Sequence, residues 1–520
     1  MNMDKLFRKA FYVDRNGSKR DQDGDKNAKP RLSLNELSRE ELFRLFDKSA
    51  DVNLHHYFKD TETKQSNPLL IYCDTMIDTK QLNDFLYIQL RKLLSYPSAG
   101  NPSPFSEIPF ESQNIYHIVG PDAIENMIQQ VFSGNLVLFF EETRELYAFQ
   151  MANPPQRSPS ESNTEISIKG PRDGFTESID TNVALVRKRL KTPTLGIEYY
   201  QLGSRSKTSI ALLFMTDITN ADLLNEVRTR LGKIEVDGVL SSQLLEEGLS
   251  DTSYSLFPLI EYMGRPDYIT ESLLKGRFAI VVDGSPMVLV GPTNLMSLIK
   301  SPEDLHLPFY YVTLERLLRL LGLSVAILFP GFWVSISAFN LDQIPFPLLA
   351  TVVVARLGLP LSGPIDLFLM LGLFELFREA GMRLPKAVGQ TVAVVGGLIV
   401  GEAAISAGIT GPTTLVVSAV TAVSTFTLVN QSLSGSVTVI RFCVLALCCL
   451  FGMFGLFLSV FLIVLYLSSL TSFGVPFMTP LSPIRFKDVL NSIVSLPWKL
   501  WNKRPTMYAP KDSSQQGENS

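Results

Sequence analysis

Cysteine and histidine are scarce in this 520-residue chain, with four of each. Cys73 stands alone in the first half, while Cys443, Cys448 and Cys449 share one apolar run without a CxxC spacing. Neither a disulfide framework nor a metal site is expected from that usage. His55, His56, His117 and His306 are scattered, and no GxSxG or HExxH pattern occurs, so no catalytic constellation is read and no cofactor is implied. A strong charge imbalance is also missing. The net charge of −4 supplies no basic field for nucleic acid. Two fragments imitate ligand loops and fail. Asp21-Gln22-Asp23-Gly24-Asp25 has its glycine misplaced for a calcium loop and Leu32 where the closing glutamate belongs. Gly203-Ser204-Arg205-Ser206-Lys207-Thr208 has Ser206 where a phosphate loop needs glycine.

Charge is nearly absent from the second half: only ten charged side chains fall between Leu320 and Ile484. Leu320 to Phe339 runs twenty residues without a charge, Pro412 to Val429 eighteen and Phe442 to Leu470 twenty-nine. About 20 residues of helix cross a hydrocarbon core. The expected architecture is an α/β two-lobed soluble N-terminal domain followed by an all-α helical transmembrane domain. Those three runs with Ala387 to Ile409 make four crossings. Ile344 to Phe377, broken by Pro345, Pro347, Pro360 and Pro364, is then re-entrant or lies on the interface, and six crossings is the alternative. No signal-like apolar segment opens the chain. Lys300, Arg316 and Arg319 precede the first run, and Lys487, Lys499, Lys503 and Arg504 follow the last. This bias expects a cytoplasmic N-terminal domain, with both ends inside.

Residues 1–31 are charged and lack apolar periodicity, which expects disorder. Lobe 1 is read over 32–152, a proline- and serine-rich linker over 153–165, lobe 2 over 166–300, the helical membrane domain over 301–486 and a tail over 487–520. Ser38 and Glu41 have capping-box spacing ahead of Leu42, Phe43, Leu45 and Phe46. The pattern then gives a strand at Leu69 to Cys73, helices near Gln81 to Leu94 and Ala123 to Phe132, and a hairpin from Leu136 to Met151. After the linker the order recurs: strand Ser209 to Met215, helices Asp222 to Leu231 and near Tyr268 to Leu274, and hairpin Phe278 to Val290. Tyr72 and Phe139 are 67 positions apart, as are Phe214 and Val281, which suggests one module used twice.

Within the apolar half, Pro330-Gly331 interrupts a run where proline removes a backbone hydrogen bond, so a kink is expected as either hinge or packing bend. Glu402 lies beside a stripe of Gly397, Gly401, Ala404 and Gly408. A carboxylate there should face protein or water, as lining of an ion path or as an interhelix contact. Asp366 is a similar candidate. Glu375, Arg378 and Glu379 share a helical face, with Arg383 and Lys386 following. They read as a surface-lying amphipathic helix or as a binding cluster. Trp498, Lys499, Trp501 and Lys503 read as an interfacial anchor.

Several segments together resemble the A subunits of spore germinant receptors, the GerA family. In the soluble half these are Gly170-Pro171-Arg172-Asp173-Gly174-Phe175-Thr176-Glu177-Ser178, Thr181-Asn182, Arg187-Lys188-Arg189-Leu190, Arg265-Pro266-Asp267 and Gly276 to Pro286. In the apolar half they are Glu379-Ala380-Gly381-Met382-Arg383-Leu384-Pro385 and Gly396 to Ala404. Departures occur near Gly264, at Asp366 and at Leu305-His306. The resemblance implies a non-enzymatic component of a receptor in the spore inner membrane, acting with a transporter-like B subunit and a lipoprotein C subunit. It implies sensing of nutrients such as amino acids or sugars, followed by ion release, with the A subunit oligomerising as an ion channel. A non-conducting scaffold and a secondary transporter are the alternatives. Glu402, Asp366, Pro330 and Gly331 are then candidates for pore or gate. Arg172, Asp173, Glu375, Arg378, Glu379 and Arg383 are candidates for interface or coupling.

Overall fold

The structure, a computed structural model, describes residues 34, 37–56, 68–85, 90, 115–153, 169–252, 254–383, 401–497, 500 and 503–515. Expectations placed on 1–31, on most of the 153–165 linker, on the Ala387 to Ile409 run before Gly401, and on Trp498, Lys499 and Trp501 lie outside the described residues.

Lobe 1 contains helix α1 (Arg39–Phe46), strands β1 (Val52–His56) and β2 (Leu69–Cys73), α2 (Thr79–Asp84), β3 (Ile115–Ile118), α3 (Ala123–Phe132), β4 (Leu136–Phe140) and β5 (Glu145–Phe149). The capping box forms: the Glu41 amide donates to Ser38 Oγ at 3.4 Å, and the Ser38 amide donates to the Glu41 carboxylate at 3.1 Å. The sheet runs β1-β2-β4-β5-β3 with every pair antiparallel. All of β4 is buried because both sheet faces are covered. Val137 and Phe139 pack with α1 and α3, while Leu136, Leu138 and Phe140 pack with Leu82, Phe85 and Leu90.

Lobe 2 contains α4 (Ile179–Arg187), β6 (Leu195–Leu202), β7 (Thr208–Met215), α5 (Ala221–Lys233), α6 (Ser242–Leu249), β8 (Glu261–Met263), α7 (Pro266–Leu274), β9 (Phe278–Val282), β10 (Val288–Gly291) and α8 (Leu295–Ile299). Its sheet runs β6-β7-β9-β10-β8, again antiparallel throughout and in the same relative order as the first. The phosphate-loop look-alike is the β6–β7 hairpin turn, with Gly203 at φ +89°.

The lobes are joined by Arg187 at the end of α4. Its Nε and Nη2 donate to the two carboxylate oxygens of Asp51 at 2.8 and 2.6 Å, and both side chains are wholly buried. The guanidinium also lies 4.3 Å from the Phe132 ring centre and donates to the Thr192 carbonyl at 2.9 Å. Such a charge is tolerated in a dry interface because every donor edge is answered.

The apolar half is built from α9 (Phe309–Val334), α10 (Phe346–Arg356), α11 (Gly363–Arg383), α12 (Gly401–Ser406), α13 (Pro412–Phe426) and α14 (Gln431–Ser469). Among the described residues, no strand lies between Phe309 and Ser469. Two helical stretches, Phe309–Phe339 and Gln431–Ser469, are long and apolar enough to cross a membrane.

One expectation changes here. The uncharged run from Phe442 to Leu470 is not one rod: Gly452, at φ +58° and ψ −134°, breaks α14 into legs 431–451 and 453–469. The legs fold back on each other. A side chain at Gly455 would collide with the Leu447 carbonyl, and Leu433 and Val437 share a core with Leu467 and Leu470. At 1.5 Å per residue the legs rise roughly 32 and 26 Å. Pro330, where a kink was expected, lies inside α9, which runs on to Val334 and into a π-turn over Ser335–Phe339. The proline-broken stretch forms α10 and the longer α11. Its Leu367 and Leu371 are buried against Val417 of α13 and Leu445 of α14.

After α14 a short hairpin pairs β11 (Thr471–Ser472) with β12 (Val475–Pro476), and α15 (Phe486–Ile493) follows. The chain then returns to lobe 2 rather than trailing away as a tail. The Arg504 Nε donates to the Leu274 carbonyl and the Lys511 amide to the Ile218 carbonyl, both at 2.8 Å.

Candidate functional site

Lobe 2 meets the helical region through buried ion pairs, to which Arg265 and Asp267 of the quoted segments contribute. Pro266 opens α7 and directs Arg265 and Asp267 back across the β8–α7 turn. Arg265 donates from Nε and Nη2 to the Asp267 carboxylate at 3.1 and 2.6 Å, and its Nη1 pairs with Glu303. His306 Nε2 lies 2.9 Å from Asp267 Oδ2. Burial would raise the Asp267 pKa, but hydrogen bonds from Arg265 and His306 outweigh it and hold the carboxyl below its ordinary value. Gly170 is required here, since a Cβ would collide with the Arg265 guanidinium.

One step further along the chain, Asp304 receives Arg316 Nε at 2.8 Å and Arg319 Nη1 at 2.9 Å. The two arginines are three positions apart on α9, so one helical face delivers both. Arg319 also donates to the Ile299 carbonyl at 3.2 Å and to Glu315 at 3.0 Å. Both arginines, which precede the first apolar run in the sequence, are buried in the clamp.

The exit from α14 is held to the same lobe. Asp251 accepts from Thr471 Oγ1 at 2.6 Å and from the Phe473 amide at 3.1 Å, and pairs with Arg230 at 2.5 Å. Ser472 Oγ donates to the Leu259 carbonyl at 2.7 Å and accepts from the Thr293 amide at 3.0 Å. Behind this contact, buried Arg277 pairs with Glu261 at 2.9 Å, and Tyr268 donates to Glu261 at 2.9 Å. Entry to and exit from the helical region are thus both fixed to lobe 2.

The other sequence-selected residues scatter. Arg172 is exposed on lobe 2, and Asp173 beside it pairs with Arg189 at 2.5 Å. In the helical region, Glu375 pairs with Arg378 and with Arg441 of α14, the latter at 3.2 Å. Arg441 also donates to Thr425 Oγ1 and Arg378 to Ser434 Oγ, at 3.0 and 3.1 Å. A 220 Å³ cavity lies against these groups, walled by Leu371, Phe374, Ala422 and Phe426. Arg441 was missed because it interrupts an apolar run as a single charge, with its partner 66 positions away.

Asp366 is buried at the start of α11, where Oδ2 accepts from the Gly411 amide at 3.4 Å. Its Oδ1 and the Thr410 and Thr413 hydroxyls make no hydrogen bond among the described residues. Pro330 and Gly331 are buried in the α9–α14 contact, where a Cβ at Gly331 would lie 2.7 Å from Cys448 Sγ. Glu402 is exposed on α12, Glu379 is exposed on α11, and Arg383 closes α11.

A model of the family described as Bacillus/Clostridium GerA spore germination protein matches residues 40–507. Spore germination protein XA of Bacillus anthracis is 38% identical over 481 residues, which cover 91% of this chain and 96% of that protein. Spore germination protein KA of Bacillus subtilis is 32% identical over 470 residues, covering 90% and 86% respectively. The crystal structure of the N-terminal domain of the A subunit of the Bacillus megaterium spore germinant receptor GerK3 aligns with a TM-score of 0.36 and 27% identity, over 49% of this chain and 92% of that one. The chain belongs to the GerA family of spore germination proteins.

Proposed function

We propose that this chain is the A-type subunit of a nutrient germinant receptor in the spore inner membrane. Its helical region spans the bilayer as an all-α domain, and its two-lobed domain faces the cytoplasm. It catalyses no reaction. Nutrient binding at a neighbouring transporter-like B subunit, with a lipoprotein C subunit in the complex, biases two arrangements of the assembly, and the helical region turns that bias into ion release. The observation that carries the reading is the double clamp: Asp304 holds Arg316 and Arg319 at the start of α9, and Asp251 holds Thr471 and Phe473 after α14. A displacement of lobe 2 is thereby passed to the first and last helices together.

Spores lacking the gene test the receptor role, scored by ion release and loss of refractility across amino acids, sugars and nucleosides. Failure with one nutrient class, restored by the intact gene, is the expected outcome. A normal response to every nutrient would contradict an essential receptor role. In the oligomeric-channel form of the reading, Glu402 and Asp366 line the ion path and Pro330-Gly331 bends at its gate. Glu402→Gln then changes ion release while complex assembly, measured by co-purification, is unaltered. Equal loss of both would favour the scaffold instead.

A further inference from the structure

A cavity of about 270 Å³ opens where lobe 2, the start of α9 and α15 meet. Lys275, Lys300, Arg316 and Lys503 line it, against the two carboxylates Glu271 and Asp488. Most of these charges are already answered. Lys275 pairs with Glu271, Arg316 with Asp304, and Asp488 accepts from Thr506 Oγ1 at 2.6 Å. No described carboxylate pairs with Lys300 or Lys503, and the Lys300 ammonium makes no hydrogen bond among the described residues. Burial first, then Lys275 and Arg316, push the Lys300 pKa down to about 7. A cation held this way gains from an anion that completes its solvation.

The surroundings identify the anion. Around the cavity mouth, α15 turns Phe486 and Leu490 outward while Asp488, Asn491 and Ser492 face inward. The first turns of α9 expose Phe309, Tyr310, Leu314 and Leu317. Aromatic and apolar side chains beside a cationic hollow are the composition of a surface at lipid headgroup level.

We propose that this cavity binds the phosphate of an anionic phospholipid headgroup, with Lys300 and Lys503 as its cations and Asn491 and Ser495 as neutral donors. The site rests on the membrane reading above. The lipid stands between α15 and α9 next to Arg316, and so braces the same junction that the Asp304 clamp holds.

The full-length chain is reconstituted in phosphatidylcholine vesicles with or without phosphatidylglycerol, and its association is checked by flotation. Amine labelling of Lys300 is then followed by mass spectrometry. Phosphatidylglycerol is expected to slow that labelling by about fivefold, the effect of one lysine near an anionic surface. Lys300→Gln is expected to retain about fivefold less phosphatidylglycerol through purification, and Lys300→Arg to restore it. Equal protection by inorganic phosphate in pure phosphatidylcholine would overturn the lipid as source and leave a free-phosphate site. Flotation without protection by either would overturn the site alone. Failure to float would overturn the membrane reading and the lipid site with it.

Discussion

Arg187 and Asp51 carry opposite charges into an interface that no water reaches, so each is stable only while the other is present. Arg187→Ala is expected to destabilise the full chain by about 3–5 kcal/mol. The check is thermal unfolding of the detergent-solubilised protein, and an unchanged transition would show that the pair does not hold the lobes. Arg187→Lys should lose less, keeping the charge but not the two-pronged geometry. In the sequence Arg187 stands in a basic run with Lys188 and Arg189, and that run was legible. Its burial was not, because Asp51 lies 136 positions upstream. Lys300 makes a second prediction, from its pKa near 7 against an ordinary 10.5. Between those values the unfolded chain binds more protons at this site than the folded one, so its contribution to stability rises with pH. Unfolding of the wild type at pH 7.5 and 9.5 should therefore differ from that of Lys300→Gln, the wild type gaining more at the higher pH. Equal gains would contradict the depressed pKa. The groups that face Lys300 are Lys275, Arg316, Glu271 and Asp304.

At the scale of elements, the strands read from sequence were β2, β4, β5, β7, β9 and β10, and all are interior to their sheets or inner partners of hairpins. In the two lobes the missed strands are β1, β3, β6 and β8, which are the edges of the two five-stranded sheets. Edge strands pair on one side only and carry polar residues such as Asn53, His55, His117 and Gln201, so no continuous apolar run marks them. The long uncharged run after Phe442 failed differently. Composition shows that a stretch is apolar but does not show where it turns, and a single glycine among leucines and phenylalanines carries the turn. Gly452→Ala should cost about 1–3 kcal/mol from its backbone conformation alone. Its new Cβ would also lie 2.8 Å from Phe339 Cγ. A lower unfolding temperature is expected. Unchanged stability would mean that α14 does not reverse at Gly452.

For the whole molecule, the boundary between charged and uncharged halves was plain in the sequence, whereas the contacts that cross it were not. Glu303, Asp304, Arg316 and Arg319 are ordinary charges until the fold buries them against one another. The segment Arg265-Pro266-Asp267 gains a physical role there, as the lobe-side half of the clamp. Glu375 and Arg441 make a comparable joint within the helical region, which the local charge pattern on α11 concealed. The central claim is that lobe 2 drives the helical region through Asp304. Its most direct test is nutrient-triggered ion release from spores carrying Asp304→Asn, with the abundance of the chain in the inner membrane measured on the same spores. Coupling of this kind predicts release slowed by about tenfold or more at wild-type abundance. Release at the wild-type rate from spores that hold the variant would contradict it.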